Sequence, residues 1–288
     1  MNVLITGIMG QVGFNLANFF SEQSHNVIGT YNQQVCLNFP SHKIDLNKLT
    51  DTPRNSLKDI DVDFIIHCAA ITDVNLAQKK PNLSYKINTD ATQAIVSFAK
   101  SKNIPIVYLS TDFVFNGFSG NYTENSPTEA LSHYALSKLY GESFVKSYQK
   151  GIILRFTPIG HVNSLNHQGH SLLDWIIQSA LHQQKIQLFR DKTFSPISSY
   201  EIFQTILKLI KNQQYGLYHL ASQENSIYSA GKLIQEVFQL KPTVEPSIFP
   251  QNDYSKIRPK YSHLNSKYLP LFDLKTILKN LKSQRALK

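Results

Sequence analysis

The chain opens with a short apolar run, Asn2–Thr6, that passes straight into Gly7-Ile8-Met9-Gly10-Gln11-Val12-Gly13 and then into a helical pattern. No other feature constrains the fold as strongly. Glycine at these three spaced steps permits a tight turn after a strand and lets backbone N–H groups approach a pyrophosphate, while the helix N-terminus adds partial positive charge. A glycine triplet alone is weak evidence, since a plain strand-to-helix turn also uses glycine. Its place at the first strand-turn-helix of an alternating pattern makes it specific.

That alternation continues through the first half. Apolar runs predict strands at Asn2–Thr6, Asn26–Thr30, Phe64–Cys68, Ile104–Ser110 and Ile152–Phe156. Three- and four-residue apolar spacing predicts helices at Gln11–Ser21, Leu83–Ser101 and Tyr134–Gln149. Strands alternating with helices specify an α/β fold, a doubly wound parallel sheet of the Rossmann kind. The second half is less regular, with helices at Ser171–His182, Tyr200–Lys211 and Ser229–Gln239, a strand at Gly216–Ala221, and a last helix near Asp273–Leu281. Prolines 242, 246, 250 and 259 mark an irregular stretch. The expected division is a dinucleotide-binding domain over 1–156 and a smaller, irregular substrate-binding lobe over 157–288, with 199–222 returning to the first domain.

Composition narrows the class. The 288 residues are 42% hydrophobic and 17% charged, which suits a globular chain. The formal charge of +9 is not gathered into a run: Lys79-Lys80 is a pair, and the cations after Leu274 read as a solvated helix face. With no zinc-ligand or RNA-binding signature beside them, neither nucleic acid nor a membrane surface is expected as a partner. Cys36 and Cys68 cannot build a disulfide framework, and the apolar start lacks a basic leader, so the cytoplasm is the expected compartment. His161, His167 and His170 match no metal-ligand spacing and are expected on the surface, so no metal site is assigned. Trp175, on a helix, is expected in the core.

An acidic residue ending the second strand would favour NADH and repel a 2′-phosphate. Here Thr30 is followed by Tyr31-Asn32, without that acid and without a nearby arginine. NADPH is therefore expected, with NADH tolerated, and Thr30 is placed among the cofactor-binding residues. Downstream, Ser110-Thr111-Asp112 leaves a strand, and Tyr134 precedes Lys138 by four residues on a helix, hence on one face. An ammonium beside a phenol lowers its pKa toward working pH, which suits Tyr134 to proton transfer. Lys138 could also hold the nicotinamide ribose. Ser110 or Thr111 could hydrogen-bond a carbonyl oxygen as charge develops on it. The plain alternative, Tyr134 packed on the sheet and Lys138 reaching solvent, loses ground once the glycine turn and hydroxyl pair are counted.

Together these segments resemble the extended short-chain dehydrogenase/reductases, and among them the dTDP-4-dehydrorhamnose reductases. MNVLITGIMGQVGFNLANFF is similar to their opening, HCAAITDVN to the turn after their fourth strand, STDFVFNG to their STDYVF signature, and YALSKLYGE to their Y-G-x-[ST]-K-L-x-G-E. Arg258-Pro259 and the following SHLNSKYL resemble a C-terminal R-P-x-x-S-x-L-x-x-x-K-L. The resemblance implies that Gly7, Gly10, Gln11, Val12 and Gly13 cradle the pyrophosphate and Asp45-Leu46 border the adenine. It also implies that Ala69, Ala70 and Ser110 line the cofactor. Thr111 would polarise a substrate carbonyl with Asp112 beside it, Tyr134 would deliver the proton and Lys138 would assist. Two departures stand out. The family's R-T-S-W-V-Y, whose tryptophan touches the sugar nucleotide, reads Arg155-Phe156-Thr157-Pro158-Ile159-Gly160, with Arg155 expected as a structural anchor. Asn15 replaces a glutamate that helps hold magnesium at a dimer contact, which puts that metal and that dimer in doubt and leaves monomer and homodimer open.

The expected function is NAD(P)H-dependent reduction of a 4-keto group on a nucleotide-linked deoxysugar. A sugar-nucleotide epimerase that keeps NAD bound is the enzymatic alternative. A non-catalytic, NADP-binding regulatory subunit, as in the β subunit of methionine adenosyltransferase, is the alternative of another class. A 4,6-dehydratase fits less well, because Phe113 stands where those enzymes carry a glutamate for proton abstraction.

Overall fold

The computed structural model describes residues 1–32, 38–49, 57, 60–160, 171–241 and 243–286. Cys36, Pro242, His161, His167 and His170 lie outside the described residues. In chain order the elements are β1 (Asn2–Thr6), α1 (Gln11–Glu22), β2 (Asn26–Tyr31), β3 (Ser41–Lys43), β4 (Phe64–His67), α2 (Val74–Lys79), α3 (Pro81–Tyr85), α4 (Ala91–Lys102), β5 (Ile106–Thr111), α5 (His133–Lys146) and β6 (Gly151–Gly160). There follow α6 (Leu172–Leu181), β7 (Ile186–Phe189), β8 (Thr193–Phe194), β9 (Pro196–Ser198), α7 (Ser199–Lys211), β10 (Gly216–His219), β11 (Asn225–Ser226), α8 (Ile227–Phe238), β12 (Val244–Ser247), α9 (Asp253–Lys256) and α10 (Leu274–Ala286).

The main sheet runs β10-β6-β5-β4-β1-β2-β3, with β9 paired to the far end of β6, and every pairing is parallel. Its central strands are buried along their whole length because helices cover both faces. On one face α1 and α7 interlock through Phe19, Phe20, Tyr200 and Phe203, the Phe20 and Phe203 rings meeting edge-on at 4.8 Å. On the other, Ile95 and Phe98 of α4 join Val145 of α5 and the neighbouring Tyr148 against Leu4, Ile65 and Ile106. Strand order reverses between β1 and β4, so the carboxyl ends of these two neighbours, Thr6 and His67, flank a crevice.

The second half does not simply leave the sheet, since β10 pairs with β6 through Gly216↔Ile152 to His219↔Arg155. What stands beyond the carboxyl edge is a small lobe of α6, α8 and α10 with two short ribbons, β7-β12 and β8-β11. These two- to four-residue strands carry too little alternation to be read from sequence. No helix among the described residues is long and apolar enough to cross a membrane.

Two expectations are corrected. The single helix over Leu83–Ser101 is three pieces: α3, a π turn at Lys86–Asp90, and α4. The wide turn brings the Asn88 side chain onto the backbone of Ile71, accepting from its N–H at 2.8 Å and donating to its carbonyl at 2.9 Å. Trp175 is 47% exposed rather than core. α6 buries Leu173, Ile176, Ser179 and Ala180, and Trp175 falls on the opposite face.

Candidate active site

Gly7 has φ +66°, in the left-handed region, and a Cβ there would lie 2.7 Å from the Ala69 Cα. A Cβ on Gly13 would lie 2.6 Å from the Gly7 carbonyl oxygen. The turn is closed by Gly10 N–H donating to Gly7 O at 2.9 Å. Thr30 holds it from β2: its hydroxyl accepts from Gly7 N–H at 3.3 Å and its carbonyl from Ile8 N–H at 3.1 Å. Helix α1 starts at Gln11 without a side-chain cap or an acid in its first turn, so the N–H groups of Gln11, Val12 and Gly13 present the positive end of the helix. Gln11 Oε1 is buried without a partner. An uncapped helix end behind a turn that admits no side chain fits a dinucleotide pyrophosphate.

The neighbouring positions divide. Ala69 and Ala70 are half-buried at the end of β4, with Ala69 N–H donating to Thr6 Oγ1 at 3.3 Å. Asp45 caps the short 3-10 turn Leu46–Lys48 through Asn47 N–H, and Leu46 is packed in the core behind β3. Beside Thr30 and Tyr31 the register sets His42 and Lys43, both exposed. Lys43 is a basic neighbour of the second strand's end that a search for arginine in β2 alone could not reveal. Asn15, fully buried, donates to Gln11 O at 2.8 Å.

Thr111 ends β5 and caps the next turn, accepting from Phe113 N–H at 3.1 Å and donating to Asp112 Oδ1 at 3.3 Å. Tyr134 and Lys138 project from α5, whose first turn is capped by Ser132 Oγ on Ala135 N–H. Both are at most 9% exposed. Burial pushes the Tyr134 phenol up to about 12; the Thr111 hydroxyl opposes the rise and the Asp112 carboxyl adds to it. The phenol is therefore not drawn toward working pH as expected, because desolvation and the Asp112 charge act in one direction and the Thr111 hydroxyl offsets only part of the rise. It holds its proton at neutral pH. Lys138 is lowered to about 7 by burial against the pull of Glu142 and Cys68, and its ammonium sits 4.0 Å over the Tyr108 ring. Ser110 does not face the site freely: it donates to Glu142 Oε1 at 2.5 Å, and Arg155 holds the same carboxylate, which makes Arg155 a structural anchor.

Asn88 is the site's unforeseen member. Its side-chain amide also donates to Ser137 Oγ at 2.9 Å on α5, and its backbone carbonyl accepts from the hydroxyls of Thr92 and Tyr108. It ties the turn after β4 to the helix carrying Tyr134 and Lys138. Its only trace in the sequence is a polar residue in the middle of an apolar helical pattern.

The chain is similar to known proteins along almost its whole length. The RmlD substrate binding domain family matches residues 1–282. A probable low-salt glycan biosynthesis reductase of Haloferax volcanii is 29% identical over 272 residues, 92% of this chain and 90% of that protein. The dTDP-4-dehydrorhamnose reductase of Bacillus anthracis, solved in complex with NADP, superposes with a TM-score of 0.85 at 25% identity over 98% of each chain. The methionine adenosyltransferase 2 subunit beta of Xenopus laevis is 30% identical over 173 residues, 59% of this chain and 51% of that protein. The chain belongs to the RmlD substrate binding domain family, among NAD(P)-dependent oxidoreductases with the extended short-chain dehydrogenase/reductase fold.

Proposed function

We propose that the protein reduces a 4-keto group on a nucleotide-linked deoxysugar, with NADPH as the preferred cofactor and Tyr134 as the proton donor. The observation that carries this reading is Tyr134, buried on α5 with the Thr111 hydroxyl among the groups that act on its phenol, in a chain whose first strand ends in a turn that admits no side chain and an uncapped helix. The reduced nicotinamide, when bound, supplies the hydride. Thr111, whose hydroxyl donates to Asp112 over a long 3.3 Å, holds the carbonyl oxygen and stabilises the charge that develops there. Tyr134 gives that oxygen its proton, and Lys138 steadies the phenolate left behind. Phe113 provides an apolar wall, its ring meeting Tyr134 edge-on at 6.1 Å, where a dehydratase would need a carboxylate. Exposed Lys43 beside Tyr31 supports the preference for a 2′-phosphate.

The likeness to the methionine adenosyltransferase 2 subunit beta favours a second reading, a dinucleotide-binding subunit without turnover. A screen of NADPH and NADH oxidation against nucleotide-linked 4-keto sugars separates the two. Tyr134→Phe should lower turnover by about 100-fold or more while NADPH binding stays nearly intact. Equal turnover in the variant would remove Tyr134 as donor, and NAD that copurifies and never exchanges would point to an epimerase instead.

A further inference from the structure

Thr6 and His67 are register partners at the carboxyl ends of β1 and β4, and neither takes part in the proton transfer proposed above. Both are buried, as is Thr92 on α4. Three hydrogen bonds run through them. Thr6 Oγ1 lies 2.6 Å from His67 Nδ1, His67 Nε2 lies 3.0 Å from Thr92 Oγ1, and Thr92 Oγ1 donates to the Asn88 backbone carbonyl at 2.7 Å. The last bond fixes the direction of the others. A carbonyl only accepts, so the single Thr92 hydroxyl proton is spent on Asn88, and His67 Nε2 is the donor to Thr92. Burial, reinforced by the Lys138 ammonium, lowers the His67 pKa to about 3, so the ring is neutral and carries one proton. Nδ1 is therefore bare and accepts from the Thr6 hydroxyl, whose oxygen in turn accepts from Ala69 N–H at 3.3 Å.

The two ends of this chain of bonds reach the two halves of the site. Through Thr6 and Ala69, Nδ1 holds the ends of β1 and β4 together where a Cβ on Gly7 would lie 2.7 Å from the Ala69 Cα. Through Thr92, Nε2 holds the carbonyl of Asn88, whose side chain donates to Ser137, the residue before Lys138. The imidazole also lies along Tyr108, ring centres 5.7 Å apart and planes at 30°, and the Lys138 ammonium sits 4.0 Å over that same ring. A buried polar chain in which each nitrogen and hydroxyl has its partner holds one arrangement, since turning or removing a member strands its neighbours. On the reading of the protein as a keto-sugar reductase, we infer that His67 is a positioning residue. It sets the cofactor cradle at Gly7 against the helix that carries Tyr134 and Lys138, one ring nitrogen acting on each half.

Two conservative variants separate the ends. By bond count an asparagine amide places its oxygen where His67 has Nδ1, and a glutamine amide places its nitrogen where His67 has Nε2. His67→Asn thus keeps the bond to Thr6, and His67→Gln the bond to Thr92. In the full chain with NADPH and a nucleotide-linked 4-keto hexose, His67→Asn should lower kcat by about tenfold and leave the NADPH dissociation constant within about twofold of wild type. His67→Gln should raise the NADPH dissociation constant by about tenfold, read by calorimetry, and leave kcat at saturating cofactor within about twofold. Amide hydrogen exchange adds a readout that needs no turnover, with faster exchange over α5 in His67→Asn and over 7–13 in His67→Gln. A role in packing alone would lower both melting temperatures and change both variants alike. Should either variant fail to fold, Thr6→Val and Thr92→Val remove one hydroxyl from each end, and the same split is expected, in NADPH affinity and in kcat respectively. Any pattern other than this split overturns the positioning role, while the reductase reading stands on wild-type turnover. If the wild type reduces no keto sugar, the reductase reading fails. The NADPH dissociation constants and the exchange pattern then decide alone: the split supports the role of His67, and its absence overturns that too.

Discussion

Arg155 on β6 grips Glu142 on α5 through two hydrogen bonds, Nε to Oε1 at 2.8 Å and a terminal nitrogen to Oε2 at 2.5 Å, where both side chains are about 95% closed to solvent. Ser110 adds a third bond to the carboxylate from β5, and the guanidinium lies 5.2 Å from the centre of the Phe115 ring. The pair therefore fixes α5, the helix that carries Tyr134 and Lys138, to the two strands beside it. Glu142→Gln should cost about 3–5 kcal/mol in urea unfolding, because it strands a buried guanidinium. Glu142→Leu combined with Arg155→Met should cost much less than either change alone. A double variant as unstable as the sum of the singles would show that the two residues act independently.

Much of the catalytic half was legible because its signals are local. The turn at Gly7 and the four-residue spacing of Tyr134 and Lys138 are set by backbone geometry, and the buried strands by continuous apolar runs. The π turn at Lys86–Asp90 was hidden, because Asn88 leaves the helical register to satisfy Ile71, far from it in sequence but near in space. The charge balance of Tyr134 and Lys138 was equally hidden: spacing places two groups on one face, but desolvation depends on what covers that face. Lys43 was missed because β3 is only three residues long and comes beside the end of β2 only through its register with that strand.

That register carries a prediction about cofactor choice. Lys43 pairs opposite Tyr31, where the 2′ side of a bound dinucleotide would be read. Lys43→Glu replaces attraction of a 2′-phosphate with repulsion and should lower the NADPH to NADH ratio of kcat/KM by about tenfold, the worth of one exposed charge reversal. Paired steady-state assays with both cofactors check this. An unmoved ratio would place the 2′ group elsewhere.

Gly7→Ala tests the cradle. The added methyl meets Ala69 at 2.7 Å in a backbone conformation that alanine adopts with strain, on the order of 1–3 kcal/mol. The expected result is a lower melting temperature together with loss of the stabilisation that NADPH gives the wild type, read by thermal shift with and without cofactor. A variant that melts lower but is still stabilised by NADPH as strongly as wild type would mean that the turn supports the fold without holding the pyrophosphate.

Lys138 makes stability depend on pH in a direction opposite to that of an ordinary ion-paired lysine. Burial draws its ammonium down to about 7, whereas in the unfolded chain a lysine keeps its proton to about 10.4. Between those values the unfolded state binds more protons than the folded one, so this group's contribution to stability rises with pH across that window. Below about 7 the full cost of burying the charge is present in the fold. Lys138→Met removes that cost along with the activity. In cofactor-free protein the variant should melt above the wild type near about pH 6, and the difference should shrink steadily as the pH approaches about 10. A gap that stays constant over this range would show that Lys138 keeps its proton in the folded protein, and that Glu142 and Cys68 compensate its burial more fully than their positions suggest.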